Sequence, residues 1–363
     1  MADVIKPWDA FELLAVPRQG AALAPAAKKG RAVSAGQILA RYSDSGRGSV
    51  TAPVNGRLLE INEWEIVIQR DESAVGEPPQ VRGLESLTAP ELAAALTELG
   101  VDIPLPPDGD FPVIVNTLDA EPGYNFSAAL FTEHRETMLA GIEVIRRLQP
   151  GRKIIWAVKE IYDEDDGPTR FAVSQRPYPA CLPSVLKKDI TGQIDRVARG
   201  VLDGRSLYAL GRAWRTGLPV GQMVLTLGGV NYFVPIGSRI IDLLNFANLR
   251  PTDGEKVVAG GLVRGRTVTR LDRGLGKDVA ALHLHRSRRE NAPAEPCRRC
   301  GSCTRACPVG IKVDAAARLA PKQWLVRNLE IYKDCLLCGA CTLACPVGRP
   351  LMSLARLNVK DEF

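Results

Sequence analysis

The chain has 363 residues, 45% of them hydrophobic and 24% charged, with a formal net charge of +6. That composition excludes a disordered, collagenous or disulfide-scaffold chain, and the length suggests about two to four domains. No stretch approaches the roughly 18 consecutive apolar residues of a membrane span. The positive charge is dispersed and carries no DNA-binding pattern, which argues against a nucleic-acid partner.

In chain order, residues 20–70 alternate short apolar strands with glycine turns: Lys29-Gly30-Arg31-Ala32-Val33, Gly36 to Leu39, Ala52-Pro53-Val54-Asn55-Gly56 and Glu65 to Ile68. Period-two apolar residues between turn signals predict a small β sandwich or barrel over residues 1–75. The phrasing resembles a lipoyl/biotinyl-type hammerhead. Such carriers place a lysine at the exposed hairpin; here the turn is Val54-Asn55-Gly56, so no swinging arm is expected.

Residues 76–110 are acidic and proline-rich, which predicts a linker with one short helix from Ala89 to Leu99. Phe111 to Asn116 is a continuous apolar run of the kind that forms a buried parallel strand. Phe131, Met138, Ile142, Ile145 and Leu148 then fall on one helical face. A second apolar strand runs from Lys153 to Val158. Strand, helix, strand is a βαβ unit, so residues 111–225 are expected to form a Rossmann-like α/β domain with a parallel sheet. Residues 226–288 return to β character with one helix at Ser238–Asn248, and residues 289–363 form a helical, cysteine-bearing tail. The fold class expected is thus α/β plus β, in several domains.

Eight of the nine cysteines repeat one spacing, C-x2-C-x2-C-x3-C-P. The copies are Cys297, Cys300, Cys303, Cys307 with Pro308, and Cys335, Cys338, Cys341, Cys345 with Pro346. Three thiolates at i, i+3 and i+6 wrap three corners of an iron–sulfur cube, and in two-cluster folds the fourth ligates the other cluster. Two [4Fe–4S] clusters follow, one on Cys297, Cys300, Cys303 and Cys345, the other on Cys335, Cys338, Cys341 and Cys307. Zinc leaves the middle cysteine of each triplet and the C-P ending unexplained. Disulfides suit a secreted chain, and the sequence opens on no secretory signal. Reduced ligands point instead to the cytoplasm. Cys181 stands alone and has no expected redox role. Arg286 to Arg289, with Arg298 and Arg299, reads as a solvated linker or as a docking patch for an acidic electron carrier or membrane surface.

The order of parts resembles the C subunit of the Rnf electron-transport complex, whose central fold is shared with the flavin-binding subunit of respiratory complex I. Asn116-Thr117-Leu118-Asp119-Ala120-Glu121-Pro122-Gly123 with Glu133-His134-Arg135 is similar to the family's strand-end loop. Tyr178-Pro179 through Lys187, with Thr191-Gly192, resembles a second family segment. Asn231 to Asp242 resembles the ubiquitin-like β-grasp domain called SLBB, and Gly260-Gly261 with Gly265-Arg266 fits the glycine pattern before a ferredoxin-like tail.

The resemblance implies an electron-transfer component of an oxidoreductase complex, peripheral on the inner face of the cytoplasmic membrane. Its partners would be other complex subunits, membrane-embedded ones included, and a carrier such as ferredoxin or flavodoxin. It also implies an FMN/NADH site at Asp119 and Glu121. Against FMN stands the stretch Leu99 to Asp110, which lacks the family's glycine-rich phosphate cradle. On that ground Asp119 is expected to cap a backbone amide and Glu121 to sit in a strand-end turn, leaving two clusters as a relay with no catalytic residue. The alternatives are an FMN-dependent NADH (ferredoxin) oxidoreductase subunit and a dedicated reductase for a soluble catabolic enzyme or corrinoid. NADH dehydrogenase activity of the chain's own stays open. His134 reads as a surface or satisfied histidine, and His283 and His285 as structural.

Overall fold

Alternation builds the first β region. Leu13–Pro17, Glu65–Arg70, Gly56–Ile61 and Ala32–Val33 form an antiparallel four-stranded sheet, and Ala22–Leu23, Ile38–Arg41 and Val50–Thr51 form a three-stranded one. Leu58, Ile66 and Ile68 point to one face and are fully buried. At the Val54-Asn55-Gly56 turn, the Asn55 carboxamide oxygen accepts from Ala35 N at 2.6 Å, so this position braces the sandwich. The computed structural model describes residues 5–356 apart from 9–10, 19, 44–45, 74–75, 104–110, 160–168, 173–176, 287–295 and 320–329.

The segment expected as a linker is packed. Its helix, Ala89–Glu98, opens on a Thr88–Glu91 capping box, and Leu92, Leu96, Leu99 and Val101 enter the main core. These leucines recur at helical spacing, and burying them outweighs the prolines and acids around them.

The α/β region holds a four-stranded parallel sheet in the order Thr169–Ala172, Ile154–Val158, Val113–Asn116, Val201–Asp203. From Val113–Asn116 the chain steps to one side, then returns on the other. Asn116 and Asp203, paired in register, therefore end the two strands that flank a topological switch point. The single helix expected after the first strand is two, Phe126–Glu133 and Arg135–Leu148. They part at His134, whose backbone leaves the helical region (φ −127) while its ring packs on Tyr208 and Phe233 at 5.1 and 5.4 Å. Helix Arg135–Leu148 crosses helix Gly204–Thr216 through paired glycines. A Cβ on Gly211 would fall 1.8 Å from Thr137 O, and one on Gly141 2.4 Å from Leu207 O.

The third sheet has six strands in the order Lys6–Pro7, Val230–Pro235, Gln222–Leu227, Ala281–Arg286, Glu255–Ala259, Arg266–Thr267, with helix Ile240–Phe246 packed beside it. Gln222–Leu227 straddles the boundary expected at residue 225, and Lys6–Pro7 arrives from the first region. These β and α/β regions share one continuous core, from Leu14 and Leu39 through Val113 and Leu207 to Leu225 and Leu243. The cysteine-bearing tail has a small core of its own, built on Ile311, Val313, Tyr332, Leu337 and Leu351. Among the described residues no helix is long and apolar enough to cross a membrane.

Candidate metal centre

The two cysteine motifs repeat in conformation as well as in spacing. Arg299 and Leu337, each just before the second cysteine of its motif, adopt left-handed backbone at φ 55 and 50. Gly301 and Gly339 follow at φ 69 and 77, each starting a four-residue helical turn, Ser302–Arg305 and Ala340–Leu343. Gly310 and Gly348 close the C-P-V-G endings, again left-handed. A non-glycine residue in that region is uncommon. Two at matched positions show a loop bent to turn consecutive thiols inward.

The thiols gather across the motifs. Cys297, Cys300 and Cys303 line one cavity together with Cys345 of the second motif. Cys335, Cys338 and Cys341 line another together with Cys307 of the first. Neither set draws three ligands together as a single ion requires; among the described residues no such group of His, Cys, Asp or Glu exists. Four thiols around one cavity would suit a polynuclear group of the kind the cysteine spacing predicts. Backbone amides support the sulfurs in matched fashion: Ile311 N donates to Cys307 Sγ and Arg349 N to Cys345 Sγ, both at 3.4 Å.

The cavities differ sharply in surroundings. Around the first, Cys300 is exposed, and the Ser302 hydroxyl beside it holds its thiol below the usual range. Arg298 and Arg349 line this cavity, Arg299 lies between two of its ligands, and Arg305 donates to Cys300 O at 2.9 Å. Asp314 is the acidic residue in its lining. Among the described residues the wall of the second cavity carries no charge and is built from side chains such as Val309, Ile311, Leu336, Leu337 and Met352. Burial there pushes the Cys335 thiol up to about 11 and that of Cys341 up to about 12. Thiols so placed become thiolates only when a bound cation compensates the buried charge.

The second cavity also abuts the α/β region. Tyr178 Oη donates to Cys338 O, and Arg196 Nε donates to Cys335 O at 2.8 Å. Leu182 and Val185 pack on Leu336, Cys338 and Ala340. A Cβ on Gly339 would lie 2.7 Å from Val263 Cγ1, so glycine lets the loop sit against the six-stranded sheet's connections. Sequence reasoning did not single out Arg196, whose role depends on a contact 139 positions away. Tyr178 lay within a recognised segment with no role assigned.

The carboxylates expected near a flavin are engaged in the protein. Asp119 Oδ1 accepts from Ser127 N and Oγ at 3.1 and 2.8 Å, in the first turn of helix Phe126–Glu133. Glu121 Oε2 accepts from Arg264 N at 3.0 Å and presses on Gly261, where a Cβ would fall 2.3 Å from that oxygen. Burial pushes both carboxyls up, with these hydrogen bonds opposing it. Asn116, fully buried, donates to Cys181 O at 2.9 Å and accepts from Leu118 N. Cys181 is partly buried beside this loop, and burial raises its thiol. His134 and His283 are packed in the interior with Nε2 unpaired, while His285 is exposed. Of the stretch Leu99 to Asp110, residues 104–110 lie outside the described residues, as do Ser287, Arg288 and Arg289 of the basic run.

Residues 296–349 match the family model of the 4Fe-4S dicluster domain, so the tail is an iron–sulfur module of ferredoxin type. Over 299 residues the chain is 27% identical to the C subunit of the ion-translocating oxidoreductase complex of Yersinia pestis, covering 72% of this chain and 46% of the relative. Over 355 residues it is 23% identical to the C subunit of the proton-translocating ferredoxin:NAD(+) oxidoreductase complex of Clostridium ljungdahlii, covering 84% and 77%. The resemblance to the Rnf C subunit is therefore borne out, although the chain spans just under half the length of its Yersinia relative. Among solved structures it overlaps an NAD+-reducing [NiFe]-hydrogenase in the air-oxidized state at 16% identity and a TM-score of 0.41, over 73% of this chain and 56% of that one.

Proposed function

We propose that this chain is an electron-transfer subunit holding two [4Fe–4S] clusters, working between partner proteins in an Rnf-like complex at the cytoplasmic face of a membrane. The observation that carries this is the crossed lining of the two cavities, in which each motif lends its fourth cysteine to the other's site. Bound there, the clusters supply two one-electron stations. The chain's own part is to hold eight thiolates in two sets, to bury one set in apolar surroundings and to leave the other at a basic surface. That surface suits an acidic carrier of the ferredoxin or flavodoxin kind. The antiparallel sheets of residues 13–70 serve as a hammerhead-like domain, the parallel sheet as a Rossmann-like platform and the six-stranded sheet as an SLBB-like β-grasp domain.

FMN is left out of this proposal. Asp119 and Glu121 already serve backbone amides, and the described part of Leu99 to Asp110 offers no glycine cradle for a phosphate.

Anaerobically purified protein is expected to hold about eight irons and eight sulfides per chain and no acid-releasable flavin. Cys345→Ala should remove the same EPR signal as Cys300→Ala, and Cys307→Ala the same as Cys338→Ala. Loss of signals by motif instead of by crossed set, or stoichiometric flavin bleached by NADH, would count against the proposal.

A further inference from the structure

The hydroxyl of Tyr332 is an anomaly in the cysteine-bearing tail. The residue is 1% exposed and belongs to the tail's small core, yet its Oη is buried with no hydrogen-bond partner. Leaving a buried hydroxyl unpaired costs roughly 1–3 kcal/mol, and buried polar groups are as a rule satisfied. A phenylalanine would fill the same space without that cost.

Tyr332 lines the second cavity beside Cys307, Cys335 and Cys341. Apart from its own hydroxyl, no side chain among the described residues of that lining carries an oxygen or a nitrogen: the rest are cysteines, aliphatic residues, a proline, a glycine and a methionine. The side-chain acceptors that share this lining with the phenol are sulfurs. Burial, and after it the neighbouring thiols of Cys341 and Cys335 in the second cavity and Cys303 in the first, push this hydroxyl up to about 12.

Building on the two-cluster reading, we propose that Tyr332 donates its hydroxyl hydrogen bond to sulfur of the cluster held by Cys335, Cys338, Cys341 and Cys307, and so raises that cluster's reduction potential. A donor aimed at cluster sulfur stabilises the state with the extra electron, because added negative charge on sulfur strengthens the bond. Among the described residues this hydroxyl is the one oxygen- or nitrogen-bearing side chain in the cavity's wall; Arg196 and Arg264 act on its thiols from outside that wall. The apolar wall alone would push the potential down; Tyr332 offsets that push and keeps the buried station closer to its exposed neighbour.

The test is Tyr332→Phe in the full-length, cluster-loaded protein, with potentiometric titration followed by EPR. Iron and sulfide counts should match wild type, since the ring still packs. The second cluster's potential should fall while that of the first stays in place. Resonance Raman of the wild-type protein should show iron–sulfur modes that shift in D2O, a shift that is smaller in the variant because only the backbone amide donors remain. Unchanged potentials in the fully loaded variant, or a fall confined to the first cluster, overturn the assignment. Failure of wild-type protein to hold iron and sulfide would instead sink the two-cluster reading on which it rests.

Discussion

The hydroxyl of Tyr178 donates to the carbonyl oxygen of Cys338, tying the α/β region to the middle of the second cysteine loop. Arg196 holds the same loop slightly earlier, at Cys335. The buried cavity is thus held by the body of the protein.

Removing the phenol should loosen that hold. Tyr178→Phe is expected to destabilise the docked tail by about 1 kcal/mol, the net worth of one hydrogen bond. The expected signature is faster loss of the second cluster to a chelator with the first unaffected. Equal loss rates for both clusters would show that the bond does not anchor this loop.

Charge at the first cavity should govern encounter with anions. Arg299→Glu reverses one charge between Cys297 and Cys300, and Arg299→Asn removes it with a residue that tolerates left-handed backbone. Both should slow oxidation of the reduced protein by ferricyanide several-fold at low salt, with the difference shrinking towards 1 M ionic strength. A cationic cobalt oxidant should respond in the opposite sense. Salt-independent rates would mean electrons leave through another face.

Acid should weaken the fold through two histidines. Burial holds His134 and His283 below the usual imidazole value, and protonating either would place charge on an unpaired interior Nε2. Unfolded chains then bind more protons than folded ones below about pH 6.5, so stability is full above that value and falls as pH drops through it. Asp119 and Glu121, raised by burial, act in the opposite sense. Thermal unfolding at pH 7.5 and 5.5 should show a smaller difference in His134→Leu and His283→Leu than in wild type.

The helix crossing at Gly211 should tolerate nothing larger. An added methyl overlaps Thr137 O, a backbone atom that moves only if the helices part. Gly211→Ala is expected to cost about 1–3 kcal/mol or to prevent soluble expression. Neutral behaviour in urea unfolding would show that the two helices have slack.

The cysteine motifs were legible because their ligands are close in sequence and the chemistry fixes their spacing. Parallel strands at Val113 and Ile154 were legible as apolar runs for the same local reason. The break at His134 was not, since it depends on rings at Tyr208 and Phe233, remote in the chain. The helix at Ala89–Glu98 was legible from its composition, but the surrounding prolines and acids hid that Leu92, Leu96 and Leu99 pack into the main core. The engagement of Glu121 with Arg264 and Gly261 required a glycine pattern to meet a strand-end loop more than a hundred residues away. Local pattern does not specify such a meeting.

Lys6–Pro7 pairs in parallel with Tyr232–Phe233, and Trp8 N donates to Phe233 O. Lys6 and Pro7 therefore wait for a strand made much later before they find their place. Closure over so long a loop raises contact order and slows the final docking step. The six-stranded sheet is completed only when Ala281–Arg286, which pairs with Gln222–Leu227 and Glu255–Ala259, has also emerged, shortly before the cysteines themselves. Closure of the body and synthesis of the cysteine motifs thus fall close together.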